Sequence, residues 1–596
     1  MQVYEAPIRD MRFVLEELHA DDGFGNLEGF EDFDAETSAA ILEEANKFCR
    51  DILLPLNWPG DQQGCRMENG VVRTPDGFPE AYKAFCESGW AGLGVKAEYG
   101  GQGAPHSLAK MVEEMSCSAN LSFGLYPGLT NGGMVAIDAY ASEDLKNFYL
   151  PRMANGEWAG TMCLTEPHCG TDLGMLRTKA VPQDDGSYLV SGNKIFITAG
   201  NHDLTENIIH LVLARLPDAP KGVKGISLFL VPKFLPKDDG SLGDFNNVTA
   251  TAIEHKMGLK GSATCQMSFE EAKGWIDGEP HKGLAAMFAM MNAERVAVGM
   301  QGLGIGEVAY QSAVWYAKDR LQGRSLLGVK NPDGPADPII VHPDVRRMLM
   351  TMRAYNEGCR AICTWVSRAL DAEHAAKEPE ARERAADFVA LMTPVVKALF
   401  TDLGHESANI AIQVHGGHGY IQETGVEQFA RDARIAQIYE GTNGIQALDL
   451  VGRKLPARMG RNLRSFFHPV SNFIEANIAD PAIGKLVGGL QQAFGALQLS
   501  TGHIAQKGLK DPEEAAAAAT DYLRLLGFVA MGYCFAKAAK LAAAKLAEGT
   551  DDKAFYEAKL VTARFFFERL LPPVAAQYMA IASGKASMMD MPAEAF

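Results

Sequence analysis

Ile8, Met11, Leu15 and Leu18 are spaced three, four and three residues apart, the interval that places side chains on one face of an α-helix. Leu42, Ala45, Cys49 and Ile52 repeat the pattern. Residues 1–160 are therefore expected to be mainly helical, punctuated by Gly100, Gly101, Gly103 and Pro105. After Trp158 the texture changes. GSYLVSGNKIFITAG, IIHLVLARL, GISLFLVPKF and ATCQMSFEEAKGWI are short, rich in β-branched and aromatic residues, and bounded by turn formers. Asp-Asp-Gly recurs at 184–186 and 238–240, where turns are expected. No helix-length pattern separates these strands, so an antiparallel barrel or sandwich is expected rather than a parallel sheet. Helical periodicity returns beyond about residue 281. The reading is a multidomain α+β chain: an N-terminal helical domain (1–160), a middle β domain (161–280), a C-terminal helical bundle (281–465) and an appended helical extension (466–596).

Composition narrows the function classes. Hydrophobic residues make up 47 % and charged residues 22 % of 596 residues, an ordinary globular balance. The net charge of −18 argues against nucleic acid as the main partner, because phosphate binding needs a basic field. The chain has no run of eighteen uninterrupted apolar residues, so no membrane span is expected. Its acidic, amphipathic start lacks the basic and apolar regions of a signal peptide, so a cytoplasmic location is expected. Ten cysteines occur without a CxxC pair, and Cys359 with Cys363 reads as two buried thiols on one helix. No metal site is expected. His415 and His418 lack a third ligand.

Four segments could carry chemistry. Gly302-Leu303-Gly304-Ile305-Gly306 imitates part of a dinucleotide fingerprint, but it lies inside a helical pattern and reads as a packing face. Met162 to Asp172 (MCLTEPHCGTD) forms a turn around Pro167 and Gly170, offering threonine hydroxyls and free backbone N–H groups. Ile195-Phe196-Ile197-Thr198 sets an aromatic and a hydroxyl two residues apart on one strand face. Tyr439-Glu440-Gly441-Thr442-Asn443-Gly444 places a carboxylate among small residues, where desolvation would raise its pKa into the range of a useful base.

Taken together, these segments resemble the acyl-CoA dehydrogenase family over about residues 35–460. The resemblance implies FAD as cofactor and α,β-dehydrogenation of an acyl-CoA thioester, with Glu440 as the catalytic base. It implies flavin contacts from Met162, Leu164, Thr165, Gly170, Thr171, Phe196 and Thr198, where many members carry Trp in place of Phe196. It further implies contacts to FAD from Arg320, Gln322, Gln413, Gly416, Gly417, Thr442 and Gly444; a Gln often occupies the position of Gly444. Arg320 and Gln413 would serve a neighbouring subunit's cofactor, so a homodimer or higher assembly is implied. Thr171, Asn292, Glu294, Arg295, Tyr439 and Gly441 are assigned to the substrate side. Glu294 matches the position where a minority of relatives place the base. An electron-transferring flavoprotein is the implied electron acceptor.

The extension is similar in kind to those of longer subgroups, including very-long-chain enzymes and bacterial 3-methylmercaptopropionyl-CoA dehydrogenases. The expected substrate is a short or medium acyl-CoA or 3-methylmercaptopropionyl-CoA. Two other readings stay open: a DNA-binding flavoprotein of the same fold, which would want a basic C-terminal surface where this block is nearly charge-balanced, and a nitroalkane-oxidase-like flavoenzyme, which would replace or lose the Glu440 carboxylate.

Overall fold

A computed structural model of the chain describes residues 2–20 and 27–596. It divides into two compact units, residues 1–46, 105–118 and 298–596 in one and 47–104 with 119–297 in the other.

The second unit carries all eleven strands found among the described residues: β1 (Arg66–Glu68), β2 (Val71–Arg73), β3 (Trp158–Cys163), β4 (Lys179–Pro182), β5 (Tyr188–Thr198), β6 (Asn207–Arg215), β7 (Ile226–Pro232), β8 (Phe234–Pro236), β9 (Leu242–Phe245), β10 (Val248–Ile253) and β11 (Thr264–Asp277). β11 is long enough to pair with both β5 and β7. β7 also pairs with β6, β6 with β4 and β4 with β5, so the pairings close a ring, the expected barrel. One expectation needs correcting, because the sheet is not wholly antiparallel. β3 runs parallel to β6 over six residue pairs, from Trp158↔Asn207 to Cys163↔Val212. A parallel pair needs a long crossover; here the 164–206 segment supplies it with β4 and β5 instead of a helix, so the sequence shows no βαβ rhythm.

The core of this unit gathers Ile209, Leu211, Leu213, Leu228 and Leu230 from β6 and β7 with Ile137, Tyr149, Met153, Trp158, Met287 and Met290 from helices and β3. The helical run His106–Tyr140 is interrupted at Asn120, whose backbone is extended and whose Oδ1 accepts from Phe123 N at 3.1 Å. That is the geometry of a helix start.

In the first unit, helices Gly283–Asp319 (from Val298 onward), Pro343–Ala375, Pro379–His415 and Pro512–Glu548 dominate. Gly302 and Gly404 permit close approach of two of them: a Cβ at Gly302 would meet the Phe400 carbonyl oxygen at 2.4 Å, and one at Gly404 the Gly302 oxygen at 2.1 Å. The glycine series is thus a packing face. Helix Pro512–Glu548 is long and apolar enough to cross a membrane, but 83 % of its apolar window is buried within the protein.

A buried ion cluster ties the ends of this unit together. Arg360 donates to Asp10 (2.5 Å), Glu114 (2.5 Å) and Glu307 (2.9 Å), and Lys559 of the extension pairs with Asp10 and with Glu357 (2.9 Å).

The early helical pattern is shifted by one residue in two places. Met11 and Leu18 are buried as expected, yet Phe13 and Val14 are buried while Leu15 is only half-buried. Leu42, Ala45 and Cys49 are buried, but Leu53 takes the place expected for Ile52, which is 37 % exposed. Both sites are π-helical, Phe13–Leu18 and Cys49–Leu53. A π turn inserts an extra residue and rotates the buried face forward.

Candidate active site

In the β unit, the end of β3 runs directly into the turn at 164–172. Glu166 and Cys169 exchange backbone hydrogen bonds (2.9 and 3.0 Å), and Ile195 N donates to Thr165 O at 2.9 Å, which lays the turn beside β5. Beneath it sits the wholly buried Lys194. Its Nζ donates to Leu164 O and Glu166 Oε1, both at 3.0 Å. Glu166 also accepts from Arg177 N (2.8 Å), Thr178 N (3.0 Å) and Thr178 Oγ1 (2.6 Å). Burial raises the Glu166 pKa, but Lys194 and these donors outweigh it and hold the carboxyl below its usual range. Burial pulls Lys194 down from its ordinary value, and the Glu166 carboxylate at 3.0 Å acts against that shift. Ligand-type atoms of Glu166, His168 and Cys169 lie within 4.8 Å of one another, but the Glu166 oxygens are already committed to these donors.

Met162, Leu164 and Thr165 are therefore brought beside Phe196 and Thr198, where Thr161 Oγ1 also donates to Thr198 O at 2.8 Å. Gly170 and Thr171 lie further along the same turn, exposed. The regular pleat expected through Phe196 is replaced by a bulge. The register opposite β11 shifts between Lys194 and Ile197, and Phe196 has φ 58°. A phenylalanine there is strained. The bulge leaves the ring 60 % exposed beside buried Ile197. In the same unit Asn292 is exposed and accepts from Arg295 Nη1 at 3.3 Å. Glu294 is 4 % exposed and fills the space over Gly132, where a Cβ would lie 2.3 Å from Glu294 Oε1.

In the helical unit, Tyr439 to Thr442 form one tight turn before helix Asn443–Asp449, which carries Gly444 and which Thr442 caps by accepting from Ile445 N at 3.3 Å. Glu440 and Gly441 are consecutive left-handed residues, φ 58° and 82°. Tyr439 OH donates to the buried Gln301 Oε1, and Gln446 Nε2 donates to the Glu440 and Gly441 carbonyls at 2.9 and 3.3 Å. Gln413 is exposed near the C-terminal end of helix Pro379–His415, and Gly416 (φ 58°) and Gly417 follow it. A Cβ at either glycine would meet nothing within 4 Å. His415 and His418 are engaged with Tyr316, the first stacked at 4.3 Å and the second hydrogen-bonded at 3.0 Å. Tyr316 thereby joins this loop to the end of the helix from which Arg320 and Gln322 emerge, both exposed. The loop after Arg320 is organised by buried Asp337, which accepts from the backbone N of Ser325, Lys330 and Asn331 at 2.7–2.9 Å and presents Leu326 and Leu327 about 90 % exposed.

Family models for the acyl-CoA dehydrogenase N-terminal domain, middle domain and C-terminal domain match residues 35–157, 161–272 and 281–455, and one described as acetyl-CoA dehydrogenase C-terminal like matches 466–592. The chain belongs to the acyl-CoA dehydrogenase family. It is 43 % identical to 3-methylmercaptopropionyl-CoA dehydrogenase of Ruegeria pomeroyi, over 97 % of this chain and 98 % of that one. It is 38 % identical to a butyryl-CoA dehydrogenase of Syntrophomonas wolfei, over 100 % and 99 %. Among solved structures, Caenorhabditis elegans ACDH-11 in complex with C11-CoA superposes with a TM-score of 0.78 at 19 % identity, covering 96 % of this chain and 92 % of that one. An acyl-CoA dehydrogenase complexed with FAD from Bacillus anthracis gives 0.75 at 22 %, covering 97 % and 92 %. At those identities the likeness is one of fold.

Acyl-CoA dehydrogenases are FAD-dependent enzymes, and the surfaces of this one suit the group. An outward aromatic ring flanked by threonine hydroxyls fits a flat heteroaromatic ring system. Bare glycine backbone beside a helix bearing Arg320 fits a phosphate chain. Sequence reasoning missed Glu166, Lys194, Gln301, Tyr316, Lys397 and Gln446, which hold these segments in place. A lysine inside an apolar run, as at Val395-Val396-Lys397-Ala398-Leu399-Phe400, was the available signal.

Proposed function

We propose that this acyl-CoA dehydrogenase removes the α-proton of an acyl-CoA thioester with Glu440 and yields the 2-enoyl-CoA. The observation that carries the reading is the Glu440–Gly441 turn: a carboxylate held in a strained backbone conformation, fastened on both sides, at the family's position for the base. FAD, when bound, supplies the acceptor for the β-hydrogen, which leaves as hydride. Met162, Leu164, Thr165, Gly170, Thr171, Phe196 and Thr198 would hold its ring system. Arg320, Gln322, Gln413, Gly416, Gly417, Thr442 and Gly444 would hold the remainder, in part across a homodimer.

Removing an α-proton requires that negative charge developing on the thioester oxygen be met by a donor. The Glu440 backbone N–H, fixed by the same turn, fills that role. Tyr439, Gly441, Thr171, Asn292, Glu294 and Arg295 shape the substrate side. The names of the relatives support a short acyl chain, 3-methylmercaptopropionyl-CoA or butyryl-CoA; the proposed electron acceptor is an electron-transferring flavoprotein.

The test is turnover of 3-methylmercaptopropionyl-, butyryl- and octanoyl-CoA with a dye acceptor, by the parent and by Glu440→Gln. The variant is expected to keep its flavin and lose at least ~10²-fold in kcat. A Glu440→Gln variant that turns over normally, beside an inactive Glu294→Gln, would move the base to Glu294.

A further inference from the structure

Lys397 lies on helix Pro379–His415 with its side chain wholly buried. An ammonium is placed in such a setting only against a strong desolvation penalty. Its Nζ donates to Gly441 O at 2.9 Å and to Asn443 Oδ1 at 2.8 Å. Asn443 in turn donates to Asp402 Oδ1 (2.7 Å), Thr401 Oγ1 (3.0 Å) and Ala398 O (3.2 Å). Asp402 Oδ1 also accepts from Gln437 Nε2 at 2.7 Å. The network therefore grips the chain before Glu440 at Gln437 and after it at Gly441 and Asn443. Two successive left-handed residues, one of them a glutamate, persist only where the surroundings over-determine them.

We propose that Lys397 is a positioning residue for Glu440. By fixing the Gly441 carbonyl and Asn443 it holds the carboxylate and the backbone N–H of residue 440 in one orientation. The inference rests on Glu440 being the base.

The flavin-loaded variants Lys397→Met, Asn443→Ala and Glu440→Gln test it together. Lys397→Met is expected to keep parental flavin content and KM while kcat falls about 10- to 100-fold, the scale of a misplaced catalytic group. Asn443→Ala keeps the Lys397 side chain and its bond to Gly441; it lowers kcat about five-fold, on the scale of a hydrogen bond to the turn, with KM and flavin content retained.

A Lys397→Met enzyme with parental kcat overturns the proposal, as does a loss confined to KM, flavin content or unfolding temperature. If Lys397→Met does not fold, an unchanged kcat in Asn443→Ala overturns it. An active Glu440→Gln overturns the base reading itself, whatever Lys397→Met does. An inactive Glu440→Gln beside an unaffected Lys397→Met overturns only the role of Lys397.

Discussion

Replacing Lys194 with methionine should loosen the turn at 164–172 and cost the β unit much of its stability. The side chains of Lys194 and Glu166 are 0 % and 3 % exposed and lie 3.0 Å apart, so the substitution leaves a carboxylate buried without its countercharge. Breaking such a pair costs about 3–5 kcal/mol. Three donors remain on Glu166, from Arg177 N, Thr178 N and Thr178 Oγ1, so the lower end, about 3 kcal/mol, applies. For a unit of this size that corresponds to a fall in Tm of roughly 6–12 °C. The double variant Lys194→Met/Glu166→Gln should recover part of it, because neither charge is then buried.

The pH dependence has a definite sign. Glu166 has its folded pKa depressed, so its contribution is complete above the unfolded value of about 4.5 and is lost as pH falls through the folded value. The gap between parent and Lys194→Met should therefore be full at neutral pH and close in acid. Thermal unfolding of the flavin-loaded proteins from pH 4 to 8, with flavin content measured after gel filtration, provides the assay. A Lys194→Met protein that melts with the parent and retains all its flavin would refute the reasoning.

Two further outcomes follow from the geometry. Asp277 is wholly buried, neither carboxylate oxygen has a hydrogen-bond partner among the described residues, and burial, only partly offset by Lys146, pushes its pKa up to about 7. A raised folded pKa adds stability in acid that drains away as pH rises through about 7, so Tm of the parent should fall more steeply between pH 5 and 8 than that of Asp277→Asn; parallel slopes would discount this residue. Arg320→Ala should release flavin more readily than the parent on dilution, read as absorbance lost from the protein fraction, and equal retention would remove Arg320 from the cofactor's surroundings.

Regular elements were legible because their signals are local. The Asp-Asp-Gly repeats are turns with Gly186 and Gly240 at φ 82° and 83°, and the alternating runs from Tyr188 to Asp277 are strands. What failed needed information from elsewhere in the chain. Nothing in Phe13–Leu18 or Cys49–Leu53 announces a π turn, so Ile52 was placed inside and Leu53 was not. The β3–β6 pairing joins residues some fifty positions apart in sequence, beyond any periodicity. Within the candidate site, Phe196 and Glu440 were found by residue type, but their left-handed φ was not, because neither residue favours it. The partners that hold the neighbouring backbone, Thr165 for Ile195 and Lys397 for Gly441, lie far away in the sequence.

The cluster around Arg360 gives the last helices a role beyond coverage. Asp10, Glu114, Glu307 and Glu357 bring four acids, the first three buried and the last half-buried, to a place where the body of the unit contributes Arg360 and, through Glu357, Arg353. Lys559 brings one more cation, and it comes from the extension. Cutting the chain near residue 465 would thus do more than uncover apolar surface. It would take one cation from a cluster that already sets four acids against three cations, leaving Asp10 to Arg360 and Glu357 to Arg353, so a shortened enzyme would gain from Asp10 or Glu357 being neutralised in the same step.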